Sequence, residues 1–310
     1  MCRVLSYLGK PILLEKLLYE PDNCFIKQSY NPKLMPNLLN LAGFGLVAWD
    51  KNSCRPALPF IYKTPHLPFY DSNLKNLAQK IMSRCALAHV RGVAYNEKQV
   101  ISKENVHPFI FPGINIVLAH NGILTDFIKM KYDLLKYIPP EINRYIQGTT
   151  DSEWIYGLFI AQLMERDIIA PTPAMLIEAV THTLKIIKKV RNEHHIHSHS
   201  PINLFITNGE FILATRLVFD FGNTLENSNP VSNPHAIYHS LWYTYGDSYE
   251  FHDNKYQMCN SKKKSSIIIA SEPLTANTTS WVEAPQSSVI VARSNEFEEV
   301  EILIERLDIK

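Results

Sequence analysis

Short apolar runs separated by turn residues dominate the first part of the chain. Their alternation predicts strands at 2–8 (CRVLSYL), 43–50 (GFGLVAWD), 85–92 (CALAHVRG) and 114–124 (INIVLAHNGIL). Between them, 71–84 (DSNLKNLAQKIMSR) carries Leu74, Leu77, Ala78 and Ile81 at helical spacing behind an Asp-Ser start, and predicts a helix. Two longer helical patterns follow at about 151–166 and 172–190, the second opened by a Thr-Pro pair. The pattern then returns to strands. Segment 202–217 (INLFITNGEFILATRL) predicts a hairpin about Asn208-Gly209, and SIIIASEPL, SSVIVARS and EILIERL predict three more strands. Strands, then helices, then strands predict two packed sheets with helices outside. No repeat or long linker interrupts this order, so 1–310 is expected to form a single domain. Segment 221–260, rich in Asn, Ser, His and Tyr, is expected to form irregular loops.

Composition narrows the class. At 310 residues, with 46% hydrophobic and 20% charged residues, the chain has the make-up of a globular protein with a sizeable core. A formal net charge of +1 gives no electrostatic reason to expect nucleic acid or an anionic membrane as partner, and the Lys262–Lys264 run reads as a solvated loop. No apolar run reaches the roughly 18–20 residues of a membrane span, and no basic segment precedes a signal-type apolar stretch. A cytoplasmic location is expected. The five cysteines, at positions 2, 24, 54, 85 and 259, lack CxxC spacing, which points to reduced thiols.

Cys2 stands out by position. A small second residue permits removal of Met1, which would place a thiol and an α-amino group on one residue. With a thiol pKa of about 8.5 and an amine pKa of about 7.7–8.0, the amine can take the thiol proton near neutrality. The same residue also reads as a small hydrophobe in a buried strand. Three further stretches add chemistry. Arg91 ends an apolar strand in AHVRG, where it can grip a carboxylate or serve as a sheet-edge ion pair. Asn121 and Gly122 in LAHNG offer a carboxamide and an unobstructed backbone N–H to an oxyanion, or form an Asn-Gly turn. Asp151 in GTTDSEW falls in the first turn of a helix, able to bind an ammonium group or to complement the helix dipole, with Thr150 and Glu153 at capping-box spacing. Taken together, Arg, Asp, Asn, Gly and an N-terminal thiol describe a pocket for the amino-acid end and side-chain carbonyl of glutamine or a γ-glutamyl amide.

At these residues the chain resembles the class II glutamine amidotransferases, a family of N-terminal-nucleophile hydrolases. The similarity is to the stand-alone group, which includes bacterial glutamine amidotransferase-like proteins and γ-glutamyl hydrolases. MCRVL, GFGLVAW, AHVRGVAYNEKQVISKENVHPF, LAHNG, GTTDSE, NLFITNGEFILAT and IIIASEPLTANTTSWVEAPQSSVIVA carry it in order along nearly the whole chain. The resemblance implies an α+β fold, the four-layer αββα sandwich. It also implies Cys2 as nucleophile, Asn121 and Gly122 as oxyanion hole, Arg91 and Asp151 as holders of the substrate carboxylate and amino group, and His107 of NVHPF as a substrate-binding residue near the pocket, or one fixing the Pro turn after it.

The implied reaction is hydrolysis of a γ-amide bond with release of glutamate, without metal or cofactor. The alternatives are a glutaminase subunit supplying ammonia to a separate synthase, which needs a protein partner, and a non-catalytic γ-glutamyl-binding protein. Synthase-linked members carry Arg-Trp-Ala-Thr-His where this chain has Arg91-Gly92-Val93-Ala94-Tyr95, so glutamine itself is not assured as substrate. Selectivity for the leaving group is expected from loops such as 25–41 and 221–260. The tract HHIHSHS (His194, His195, His197, His199) lacks a separated second pair and follows a helix end, so no metal site is assigned to it.

Overall fold

The computed structural model describes residues 2–34, 39–93, 100–166, 168–220, 239–259, 263–295 and 297–309. Strand β1 (Arg3–Leu13) lies inside an antiparallel seven-stranded sheet. On one side of it come β4 (Met82–Val90), β2 (Phe44–Trp49) and β3 (Phe60–Thr64); on the other, β12 (Ser266–Ala270), β9 (Trp242–Gly246) and β13 (Val282–Glu283). In the second sheet β5 (Val117–Gly122) is an edge, followed by β6 (Ser200–Thr207), β7 (Phe211–Arg216), β14 (Ser288–Ser294) and β15 (Val300–Arg306). A short β8 (Val218–Phe219) pairs with β6, and β10 (Ser248–His252) and β11 (Lys255–Cys259) form a separate hairpin.

Strand periodicity of two sorts these residues into layers. Val4, Leu8, Val47 and Leu87 of the first sheet meet Val117, Ala119, Phe205, Ile212 and Ile290 of the second in a buried interlayer. The intervening Leu5, Tyr7, Leu46, Ala86 and Ala88 face outward, against α1 (Glu15–Leu18) and α2 (Ser72–Ala78). The outer face of the second sheet, with Leu118, Leu204, Ile206 and Leu213, is covered by α3 (Phe127–Leu135), α5 (Asp151–Met164) and α6 (Pro173–Glu193). A four-residue α4 (Pro140–Asn143) precedes α5. The layers are therefore helix, sheet, sheet, helix. Helix α5 is buried continuously from Ser152 to Leu163, as a helix sandwiched between a sheet and another helix must be. Helix α6 buries the stripe Leu176, Ala179, Val180, Thr183, Leu184, Ile187 and Val190 together with Arg191 near its end, and Thr172 caps it by accepting from the Met175 N–H. Among the described residues no helix is long and apolar enough to cross a membrane.

Three local expectations change. The helix expected over 71–84 ends at Ala78, and Met82 already pairs with Leu13 of β1. Residues 82–84 go to the strand because a ladder with β1 was available, a gain that local propensity does not register. Part of the expected loop region 221–260 is strand: β9, β10 and β11 occupy 242–259, and residues 221–238 and 260 lie outside the described set. The Thr150–Glu153 capping box does not form. The Thr150 side chain makes no cap, while Glu153 accepts from the backbone N–H groups of Gln147 (3.0 Å) and Gly148 (2.6 Å).

Gly45 marks a contact that no side chain would survive: a Cβ there would lie 1.8 Å from the His107 carbonyl oxygen. Gly45→Ala should lower stability by about 1–3 kcal/mol or more through overpacking against backbone. Denaturant titration checks this, and an unchanged midpoint and slope would show that the His107 segment yields at no cost.

Candidate active site

Cys2 precedes β1, whose register against β4 pairs Arg3 with Val90 and Val4 with His89 and so sets Cys2 opposite Arg91. The thiol is 8% exposed and its Sγ donates toward the Gly92 carbonyl oxygen at 3.7 Å. Arg91 is held by its backbone, its N–H donating to Gly43 (2.8 Å) and its carbonyl accepting from the Ala42 N–H (2.9 Å). Its guanidinium donates to the Val100 carbonyl at 3.1 Å. Burial lowers the Arg91 pKa from its ordinary value, and the nearby Cys2 and Asp151 oppose that shift. Cys2, Arg91 and Asp151 thus lie within one electrostatic neighbourhood.

Asp151 opens α5, and one carboxylate oxygen accepts from the Leu124 N–H at 2.6 Å while the other accepts from the Ser152 N–H at 2.8 Å. It therefore joins the helix start to the turn after β5. Asn121 and Gly122 are ladder residues, not a turn: Asn121 pairs with Asn203 and Gly122 with Ile202 of β6. Glycine is needed at 122 because a Cβ would lie 1.9 Å from the Pro201 carbonyl oxygen. Asn121 shares the interlayer parity of Val117 and Ala119, and β5 lies against β1 and β4 across that layer. Asn121 is 1% exposed, yet among the described residues neither its side-chain nitrogen nor its oxygen has a hydrogen-bond partner. In a folded interior such a group is the exception and invites a ligand.

The free edge of β5 explains the direction of the Gly122 N–H. The Leu118 N–H donates outward to the Phe109 carbonyl (3.1 Å), and the His120 N–H donates outward to His107 Nδ1 (3.2 Å). Strand alternation sends the Gly122 N–H the same way, while the Ile123 N–H turns inward to the Pro201 carbonyl (3.0 Å). His107 itself is 3% exposed and stacked on His89 (4.0 Å between ring centroids) and against Phe109 (4.7 Å), so its described contacts are with protein. His120 Nε2 faces the Pro201 carbonyl (3.3 Å), and Nδ1 lies 2.9 Å from the Ser152 hydroxyl oxygen, whose proton is also within reach of Asp151 Oδ1 (3.1 Å).

Asn105, which was not singled out in the sequence, and Glu153, read there only as a capping-box partner, organise the surrounding loops. The Asn105 amide donates to the Val100 carbonyl (3.0 Å) that Arg91 also uses, and its oxygen accepts from the Thr149 N–H (2.8 Å). Their signal was the polar residue itself, which becomes informative only when found 1% exposed for Asn105 and 4% for Glu153. Ala94, Tyr95 and Met1 lie outside the described residues. Among the described residues no three His, Cys, Asp or Glu side chains gather in a way that could hold a metal; in the histidine tract, His194 pairs with Asp133 at 2.7 Å.

The helix, sheet, sheet, helix layering is the four-layer αββα sandwich of N-terminal-nucleophile hydrolase type, and comparison with known proteins agrees on the fold. The description of the class-II glutamine amidotransferases matches residues 43–305. The chain belongs to that family and is an enzyme of that class. It is 28% identical over 313 residues to the probable glutamine amidotransferase DUG3 of Saccharomyces cerevisiae, covering 94% of this chain and 82% of that protein. It is also 28% identical over 125 residues to the gamma-glutamyl-hercynylcysteine sulfoxide hydrolase of Mycobacterium tuberculosis, covering 40% of this chain and 50% of that one. In fold it is similar to a glutamine aminotransferase class-II domain protein from Silicibacter pomeroyi, with a TM-score of 0.59, 18% identity and coverage of 99% and 100% of the two chains. The glutamine phosphoribosylpyrophosphate amidotransferase of B. subtilis aligns with a TM-score of 0.56 and 17% identity, over 100% of this chain and 50% of that one.

The buried histidines make stability depend on pH. Burial holds His89 and His107 well below the ordinary value of 6.5, with the charge of Arg91 acting in the same direction on both rings. The unfolded chain takes up these protons below pH 6.5 and the folded chain does not. Their contribution is therefore present above that pH and lost as the solution becomes more acid, at up to about 1.4 kcal/mol per pH unit for each ring. His89→Phe should reduce the slope of unfolding free energy between pH 6 and pH 5 by about one such increment. Parallel slopes for the two proteins would show that His89 titrates normally in the folded state.

Proposed function

We propose that the chain, once Met1 is removed, hydrolyses the γ-amide bond of a γ-glutamyl compound through Cys2 and releases glutamate. The Cys2 thiolate attacks the γ-carbonyl carbon after its proton passes to the α-amino group. Asn121 and the Gly122 N–H stabilise the resulting oxyanion, which is where preorganised donors are worth most. The C–N bond then breaks as the amino group returns the proton to the departing amine. Water cleaves the thioester and frees the glutamyl carboxylate. Arg91 binds the substrate α-carboxylate and Asp151 its α-ammonium group, while His107 supports the β5 edge through the His120 amide.

The observation that carries this reading is the buried carboxamide of Asn121, unpartnered among the described residues, on a strand packed against β1 and β4, the strands that Cys2 and Arg91 flank. The γ-glutamyl hydrolase name of one relative supports a γ-glutamyl substrate. Protein beginning at Cys2 should release glutamate from a panel of γ-glutamyl amides and peptides, measured by a coupled glutamate assay. Cys2→Ala should be inert and a form keeping Met1 nearly so; full activity with Met1 retained would remove the α-amino group as base. The panel also names the leaving group. Glutamate formation that appears only on adding a separate synthase would favour the ammonia-supplying subunit instead.

Asn121→Ala should lower kcat by roughly 10²–10³ with KM little changed, because the oxyanion exists only in the transition state. Asn121→Asp should be folded and nearly inactive, since it sets a negative charge against the oxyanion. A folded Asn121→Asp enzyme with near-normal kcat excludes this role.

A further inference from the structure

Arg3 is the neighbour of the thiol in sequence and points the other way from the strand, into the outer layer that Leu5 and Tyr7 share. Its side chain and that of Glu272 are each 1% exposed. Arg3 Nε donates to Glu272 Oε2 at 3.1 Å, and Nη2 lies 3.0 Å from the same oxygen. The remaining guanidinium nitrogen, Nη1, donates to the Cys2 carbonyl oxygen at 3.3 Å. Glu272 is also engaged on its second oxygen, which accepts from Asn23 Nδ2 (3.0 Å) and from the Lys33 N–H (2.6 Å). From there hydrogen bonds continue along the loop: Gln28 Nε2 donates to the Asn23 carbonyl, Asn40 Nδ2 to the Gln28 carbonyl, and the Ala42 N–H to the Arg91 carbonyl.

Such a pair is a poor means of gaining stability. Taking both charges out of water costs about what their attraction returns, and apolar residues of similar volume often serve as well. A residue at a free chain end has a different need. Once Met1 is removed, no peptide bond precedes Cys2, which is then restrained covalently on one side only, and a displacement of about 1 Å at a reacting group can cost roughly 10²-fold in rate.

We propose that Arg3 and Glu272 are positioning residues for the nucleophile: Glu272 fixes the guanidinium, and the guanidinium fixes the Cys2 carbonyl. The same carboxylate ties residues 23–33 to that anchor, so the loop and the nucleophile share one support. This rests on the reading of Cys2 as nucleophile.

The test is the double variant Arg3→Met/Glu272→Gln, which removes both charges but keeps an acceptor for Asn23 and the Lys33 N–H. It should melt close to the parent protein while kcat for γ-glutamyl hydrolysis falls about 10²-fold and KM stays within about threefold. A broad-specificity aminopeptidase should remove Cys2 from the variant and leave it on the parent, as read by intact mass. Normal kcat in the folded variant overturns the proposal. Should the double variant fail to fold, Arg3→Lys decides, because one ammonium cannot span Glu272 and the Cys2 carbonyl. It should lose about tenfold in kcat, and full kcat overturns the proposal. If the parent itself hydrolyses no γ-glutamyl compound, the functional reading fails, and aminopeptidase trimming alone still decides the anchor: equal retention of Cys2 in both proteins overturns it.

Discussion

The register of β1 against β4 governs everything built around the thiol. With Arg3 opposite Val90, Cys2 falls opposite Arg91, Val4 enters the interlayer and Arg3 turns outward to Glu272. A slip of one residue would exchange these faces and bury Arg3 between the sheets. Apolar packing on both faces prevents it, with Val4 and Leu8 on one side and Leu5 and Tyr7 on the other. Beyond Leu8 the ladder shifts register, and it resumes at Ile12 opposite Ser83.

The second strand that matters, β5, owes its usefulness to being an edge. An edge strand ordinarily exposes a row of unpaired amides, which proteins cover. Here the Phe109 carbonyl and the His107 ring cover the Leu118 and His120 amides, and the row continues to Gly122. Covering the strand with a neutral imidazole also suits the local charge. Arg91 and Lys63 already act against protonation of His89 and His107, and Lys63 is itself pushed down to about 8, chiefly by burial. Asp151 acts in the opposite direction on Arg91 and His120, so the region is electrostatically graded rather than uniformly cationic.

The residues of the candidate site stand at places the linear order marks. Apolar runs ending in Arg91 and in Asn121-Gly122, and a helix start at Asp151, identify strand ends and a helix end, the places where side chains meet a surface. What local reading left open was which of two meanings each residue has. Asn121-Gly122 has the composition of a turn and is a ladder, because β6 supplies pairing partners some eighty residues away in sequence. Thr150 and Glu153 have the spacing of a capping box, yet Glu153 meets the amides of Gln147 and Gly148. Glu272, in the segment IIIASEPL, carried no local sign of a partner at Arg3.

The sequence by itself determined the alternation of strand and helix periods and the family, since these depend on residue identity and short-range spacing. Only the tertiary structure decided that the helix over 71–84 yields to β4, that 242–259 forms strands, that Arg3 meets Glu272 and that Asn105 joins Val100 to Thr149. Each of those outcomes rests on a hydrogen bond or ion pair closed between distant segments. The energy of such a contact belongs to the pair, and neither residue alone records it.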